Sequence, residues 1–207
     1  MSIVAIDVDA QCTFTPLCPQ ELPVPEGDKI VAELNAQAAL ANLRVLTKDA
    51  HSAHAVWAVE RAEDSLQPLD FPDADLTWRR HAEVGTLGFE ALPGLPRPQD
   101  YDFLVYKGVE KDMHPYGACF HDLNETISTG LIEWLRDQQA QTIIVGGLAT
   151  DYCVKNTVLQ LCRHGSWQVV VNLAACRGIA DDTTAAALEA MRAAGARIVD
   201  SSQDIKL

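Results

Sequence analysis

The chain has 207 residues, 48% of them hydrophobic and 22% charged, and its 16 basic against 29 acidic side chains give a formal charge of −13. That length suits a single domain, the composition excludes disorder, collagen-like repeats and coiled coils, and no apolar run reaches the ~20 residues a membrane span needs. The acidic balance has the wrong sign for a phosphate backbone or an anionic membrane, so neither nucleic acid nor membrane is expected as a partner.

The opening Met1-Ser2-Ile3-Val4-Ala5-Ile6-Asp7 has no basic region before its apolar run, so no targeting peptide is expected and the cytoplasm is the expected compartment. Six cysteines without a CxxC pair read as reduced thiols of such a compartment. The run 3–8 predicts a strand buried on both faces and ending at Asp9. A loop rich in Pro, Cys and Thr follows. Asp28 is then expected to cap a helix whose apolar positions are Ile30, Val31, Leu34, Ala38 and Leu40.

Residues 44–47 predict a second strand. Over about 48–98 no period holds, which predicts a long irregular excursion with short helices, a length of loop that usually carries function. A third strand is expected at 103–106, a helix at 127–138 and a fourth strand at 142–145, broken by Gly146-Gly147. Thr150 or Asp151 is expected to cap the helix ending before Gly165. Strand five at 169–173, a helix from about 181 to 194 and strand six at 197–199 complete a repeated β-α-β order, which predicts an open parallel sheet with helices on both faces.

Ligands of such sheets bind beyond the carboxyl ends of the strands. Asp9, Lys107 and Cys153 are each expected there, from three separate segments. A thiol in the first turn of a helix is expected to have a lowered pKa, and a nearby lysine would lower it further. Singly, each residue has an ordinary explanation: a small packing thiol, a turn carboxylate, a surface cation. Spacing alone leaves Asp7 and Asp9 equivalent. Asp49 and His51 at the end of strand two, with His54 close behind and His81 far along the excursion, offer imidazoles and a carboxylate suited to a divalent transition metal.

Together these motifs resemble the nicotinamidase and pyrazinamidase group of the isochorismatase-like cysteine hydrolases, over almost the whole chain. Val8-Asp9-Ala10-Gln11-Cys12-Thr13-Phe14 is similar to the family's opening Asp-x-Gln-x-x-Phe, which selects Asp9 over Asp7. Thr47-Lys48-Asp49-Ala50-His51 and Trp78-Arg79-Arg80-His81 resemble the metal-ligand segments, and Tyr106-Lys107-Gly108 the lysine motif. Gly147-Leu148-Ala149-Thr150-Asp151-Tyr152-Cys153-Val154 resembles the nucleophile motif and is the most specific match. Two segments depart from the pattern, Ala50-His51-Ser52 and Ala82-Glu83-Val84, and leave the preferred amide open.

The resemblance implies a single α/β domain over 1–207, a three-layer αβα sandwich with a six-stranded, mainly parallel sheet. It implies a nicotinamidase of NAD salvage, hydrolysing nicotinamide or pyrazinamide to the carboxylic acid and ammonia through a Cys153 thioester. Asp9 would act as acid and base, Lys107 would hold Asp9, and a cis Leu148-Ala149 peptide would help shape an oxyanion site. One divalent metal at Asp49, His51 and His81, Zn2+ before Fe2+ or Mn2+, would bind the pyridine nitrogen, with Phe14 and Trp78 on the ring faces. The partner is a small-molecule amide, and a homo-oligomer is compatible with the pattern. A metal-free amidase of the same superfamily, in which Asp49 and His51 are ordinary polar residues, is the alternative enzyme. A catalytically idle binding member is the alternative of another class.

Overall fold

The computed structural model describes residues 2–206. In chain order the regular elements are β1 (Ser2–Val8), α1 (Val31–Ala38), β2 (Leu43–Asp49), the short β3 (Ala58–Val59), β4 (Pro68–Phe71), β5 (Ala74–Leu76) and β6 (Trp78–Arg79), then β7 (Phe103–Lys107), α2 (Leu131–Asp137), β8 (Ala140–Leu148), α3 (Lys155–His164), β9 (Gln168–Arg177), α4 (Asp181–Ala193) and β10 (Arg197–Val199). Six strands form one sheet in the order β10-β9-β8-β1-β2-β7. Every neighbouring pair in it is parallel.

This order creates a seam. From β1 the chain steps outward to β2 and β7, then returns to the other side of β1 as β8 and steps outward the opposite way to β9 and β10. The connections leaving the carboxyl ends of β1 and β8 diverge, and the crevice between them is where open α/β sheets receive ligands. The loops bearing Asp9 and Cys153 leave from that seam.

Side chains alternate across the sheet as the strand period requires. Val4, Ile6, Val8, Ile143, Val145, Val169 and Val171 join one core with Leu131, Leu135, Val158, Leu161 and Met191 from α2, α3 and α4. On the opposite face Ile30 and Leu34, entering and within α1, meet Leu148 and Ala175. Ile144 and Val170 meet Val199 and Ile205 on that side. Helices therefore cover both faces, three on one and α1 on the other, as the β-α-β order predicts.

Several local expectations are corrected. Gly146-Gly147 does not break β8, which runs on to Leu148 with Gly147 opposite Val8. Gly147 has φ 142°, and a Cβ there would lie 2.0 Å from the Val8 carbonyl oxygen, so the glycine serves close approach of β8 to β1 inside the strand. Asp28 caps no helix; it lies in a 3-10 turn (Gly27–Ile30) that feeds α1. Ile127 lies outside α2, because the Asp122 carboxylate takes the N–H groups of Thr126 and Ile127 and Gly130, at φ 87°, sets the helix start. The excursion holds two ribbons, β3 with β6 and β4 with β5, each too short to betray itself by alternation.

Candidate active site

The nucleophile segment follows β8 through a cis Leu148-Ala149 peptide, matching the isomer the resemblance implies. The next turn is wider than an α-turn: Val154 N–H donates to the Ala149 carbonyl five residues back, at 3.1 Å, and regular α3 starts only at Lys155. Neither Thr150 nor Asp151 caps this turn through its side chain. Asp151 instead accepts from Ile179 and Ala180 N–H and from the Thr183 hydroxyl (2.6 Å), tying the nucleophile turn to the start of α4.

Lys107, the last residue of β7, is fully buried and sits at the centre of the charged group. Its Nζ lies 3.1 Å from Asp9 Oδ2, 3.7 Å from Cys153 Sγ and 3.2 Å from the Pro115 carbonyl, and it also bonds Asp49 Oδ1. Oxygens of Asp9 and Asp49 and the Cys153 sulfur lie within 4.8 Å of one another. Asp9, at φ 44°, turns the chain out of the strand and accepts from the Thr47 hydroxyl at 2.6 Å. Asp7 goes elsewhere: Arg44 and Tyr101 hold its carboxylate on the α1 side. The geometry thus separates two carboxylates that spacing left equivalent.

The charges of this group are set by burial and by each other. Burial opposes the ammonium of Lys107, but Asp49, Asp9 and Cys153 outweigh it and hold its pKa well above the usual lysine range. Burial would raise Asp49, yet Lys107, with His51 and His81, keeps it well below the usual carboxylate range. Asp9 is raised, chiefly by burial, with Lys107 opposing and Asp49 adding to the rise. Cys153 is also raised well above an ordinary thiol: burial dominates, and the two carboxylates offset much of the help from Lys107. The expectation of a thiol lowered by a helix terminus is therefore corrected. The resting group is a thiol beside a carboxylate able to take its proton.

Asp49 faces two ways. Its Oδ2 lies 3.6 Å from His51 Nε2 and 3.9 Å from His81 Nε2. His51 Nδ1 meets the Gly108 carbonyl at 3.1 Å and His81 Nδ1 the Arg79 carbonyl at 2.7 Å. A carbonyl only accepts, so both Nδ1 atoms carry the proton and both Nε2 lone pairs point toward Asp49. His51 Nε2 is buried without a hydrogen-bond partner among the described residues. Burial, with His51 beside it, pushes His81 down to about 3, keeping it in the neutral form a metal requires. This donor set fits a divalent metal by chemistry and by its orphaned nitrogen. Gly108, at φ 69°, admits His51, since a Cβ there would lie 2.5 Å from the imidazole.

The Gln11 side chain bridges the two halves, donating to the Asp49 carbonyl at 2.9 Å and accepting from Asp49 N–H at 2.8 Å. Both halves open on one pocket of about 320 Å³, counted to its open mouth, with Phe14, Asp49, Trp78, His81, Ala149 and Cys153 on its walls. His54 is exposed and takes no part. Reading the sequence alone missed His114, Tyr116 and Tyr152, which also line the pocket. The first two follow Lys107 by seven and nine positions, in a loop leaving a carboxyl strand end, which is the signal that could have found them.

The isochorismatase domain matches residues 3–203. The chain is 33% identical over 185 residues to a nicotinamidase of Escherichia coli, covering 86% of this chain and 85% of that protein. It is similar in structure to a nicotinamidase and pyrazinamidase of Acinetobacter baumanii, with TM-score 0.85, 27% identity and coverage of 98% and 97%. A pyrazinamidase of Pyrococcus horikoshii in complex with zinc superposes with TM-score 0.75, at 29% identity and coverage of 96% and 99%. Matched from the first strand to the last and sharing the sheet that carries the site, the chain belongs to the isochorismatase-domain family.

Proposed function

We propose that this protein is a nicotinamidase, hydrolysing nicotinamide and pyrazinamide to the ring carboxylic acid and ammonia. One observation carries the reading: Cys153, with Lys107 and Asp9 buried behind it, and the Asp49 and His81 donors share the walls of a single pocket faced by Phe14 and Trp78. A flat ring with a carboxamide on one side and a ring nitrogen on the other uses both ends of such a pocket.

Asp9 takes the thiol proton as Cys153 Sγ bonds to the carboxamide carbon, and the backbone N–H groups of Ala149 and Cys153 receive the developing oxyanion. The C–N bond breaks with the proton passing from Asp9 to departing ammonia. Water then attacks the thioester, giving its proton to Asp9, and the carboxylic acid leaves as the thiol re-forms. Lys107 keeps Asp9 in place and balances the charge that moves between thiolate and oxyanion. A divalent metal held by Asp49, His51 and His81 would supply a Lewis-acid anchor for the ring nitrogen. Zinc is the first candidate, and the cytoplasm the proposed compartment. Ammonia release from nicotinamide, pyrazinamide and acyclic amides tests the reading. Turnover of the two ring amides well above the acyclic ones is expected; no turnover of either would overturn it.

A further inference from the structure

His114 is a buried polar side chain on the pocket wall that the proposed chemistry leaves idle. It is 5% exposed, yet neither ring nitrogen has a hydrogen-bond partner among the described residues. Buried polar atoms are nearly always paired, because an unpaired one forfeits its hydration for nothing. Packing accounts for the ring faces but not for the nitrogens: His114 lies near-parallel to His51 (5.2 Å between ring centres, 28°) and to Trp78 (5.7 Å, 25°). One ring nitrogen from each of His51, His81 and His114 falls within a set whose members all lie within 4.8 Å of one another.

We propose that His114 is a fourth protein ligand of the metal centre, which makes that centre a three-imidazole, one-carboxylate site. The proposal rests on the assignment of Asp49, His51 and His81 to a metal and adds a donor from a different part of the chain. The loop bearing His114 is strapped to the excursion that carries the other two imidazoles. His114 N–H donates to the Asp73 carbonyl at 2.6 Å, Trp57 Nε1 to the Met113 carbonyl at 3.0 Å, and Val56 N–H to the Lys111 carbonyl at 2.8 Å. The imidazole is thus held in place by backbone bonds and not by its own nitrogens, which stay available. Zinc–nitrogen bonds of about 2.0–2.1 Å separate tetrahedral donors by about 3.4 Å, so binding would draw the three rings inward by an ångström or so. A third imidazole favours zinc, cobalt or nickel over manganese and magnesium and leaves fewer positions for water.

The test uses the full chain stripped with a chelator and titrated with Zn2+ against a chromophoric competitor, and with Co2+ followed by visible absorption. Circular dichroism of the metal-free proteins checks folding, and His114→Asn stands beside His114→Ala as the more conservative change. Both variants are expected to bind Zn2+ about 10–100-fold more weakly and to give a Co2+ spectrum of changed intensity and position, whereas His54→Ala matches the parent. Parent-like Zn2+ affinity and an unchanged Co2+ spectrum in the folded His114 variants, with weakened binding in His51→Ala and His81→Ala, would sink the proposal alone. Absence of Zn2+ binding by the parent would sink the metal assignment as well.

Discussion

Lys107→Met replaces the central cation by an apolar side chain of similar length and leaves two buried carboxylates facing each other. Lys107 is fully buried, and the side chains of Asp9 and Asp49 are 0% and 3% exposed, so water cannot take over its role. Removing one partner of a buried ion pair costs about 3–5 kcal/mol, and with two carboxylates stranded the loss should fall at the upper end. In the metal-free variant one carboxylate should hold a proton in the folded state that it lacks when unfolded. Its folded pKa then lies above its unfolded one, so the deficit against the parent should shrink as pH falls through that window, being larger at pH 8 than at pH 5. Urea denaturation of chelator-treated parent and variant at the two pH values measures this. Ammonia release should fall about 10²–10³-fold or more, since the site loses its fixed positive charge. A variant within about 1 kcal/mol of the parent at both pH values, and within tenfold in turnover, would refute a role for Lys107 as the counter-ion that holds this site together.

Cys153→Ala should abolish ammonia release while leaving the denaturation midpoint close to the parent's, and Asp9→Asn should be nearly as severe, because an amide cannot accept the thiol proton; turnover by folded Cys153→Ala protein would exclude covalent catalysis. His81→Ala should lose bound metal and ring-amide activity, whereas His54→Ala keeps both, as metal analysis of the purified variants will show; Cys153 should still react with a small non-amide alkylating agent in His51→Ala. Burial holds Asp7 up at about 6 against an ordinary 3.8, with Arg44 and Tyr101 opposing. The folded state therefore binds the extra proton, so the parent should gain about 2 kcal/mol over Asp7→Asn as pH falls from about 6 to about 4. A pH-independent difference between the two proteins would show that Asp7 titrates normally. Asp7→Asn should also spare turnover, in contrast to Asp9→Asn.

The central strands were legible because both faces of a parallel sheet are covered, which imprints short runs such as Val169-Val170-Val171 on the sequence. Helix starts were not, because the side chains that look like caps have distant partners. Asp151 serves α4 about thirty residues on, and Asp28 makes no cap at all. Gly146-Gly147 has the look of a chain break, and only the pairing with Val8 reveals it as a close strand contact. Asp9, Lys107 and Cys153 were found because each terminates a readable strand or opens a helix. The protonation of the thiol was not, since it depends first on burial and then on two carboxylates brought in from the ends of β1 and β2. His114 escaped for a related reason: its partners at His51 and His81 lie in another segment, and the backbone bonds that join the two loops leave no pattern in side-chain type.

The seam between β1 and β8 divides labour in a way that an engineer could exploit. Asp9, the Ala149–Cys153 turn and Lys107 sit on the ends of sheet strands whose spacing is fixed by the ladder, while Trp78, His81, His114 and Tyr116 hang from loops inserted between those strands. Bond cleavage and ring choice are thereby written into separate stretches of the chain. A variant library confined to the inserted loops would explore new amides while inheriting an unaltered thiol, whereas changes at the strand ends would touch every substrate alike.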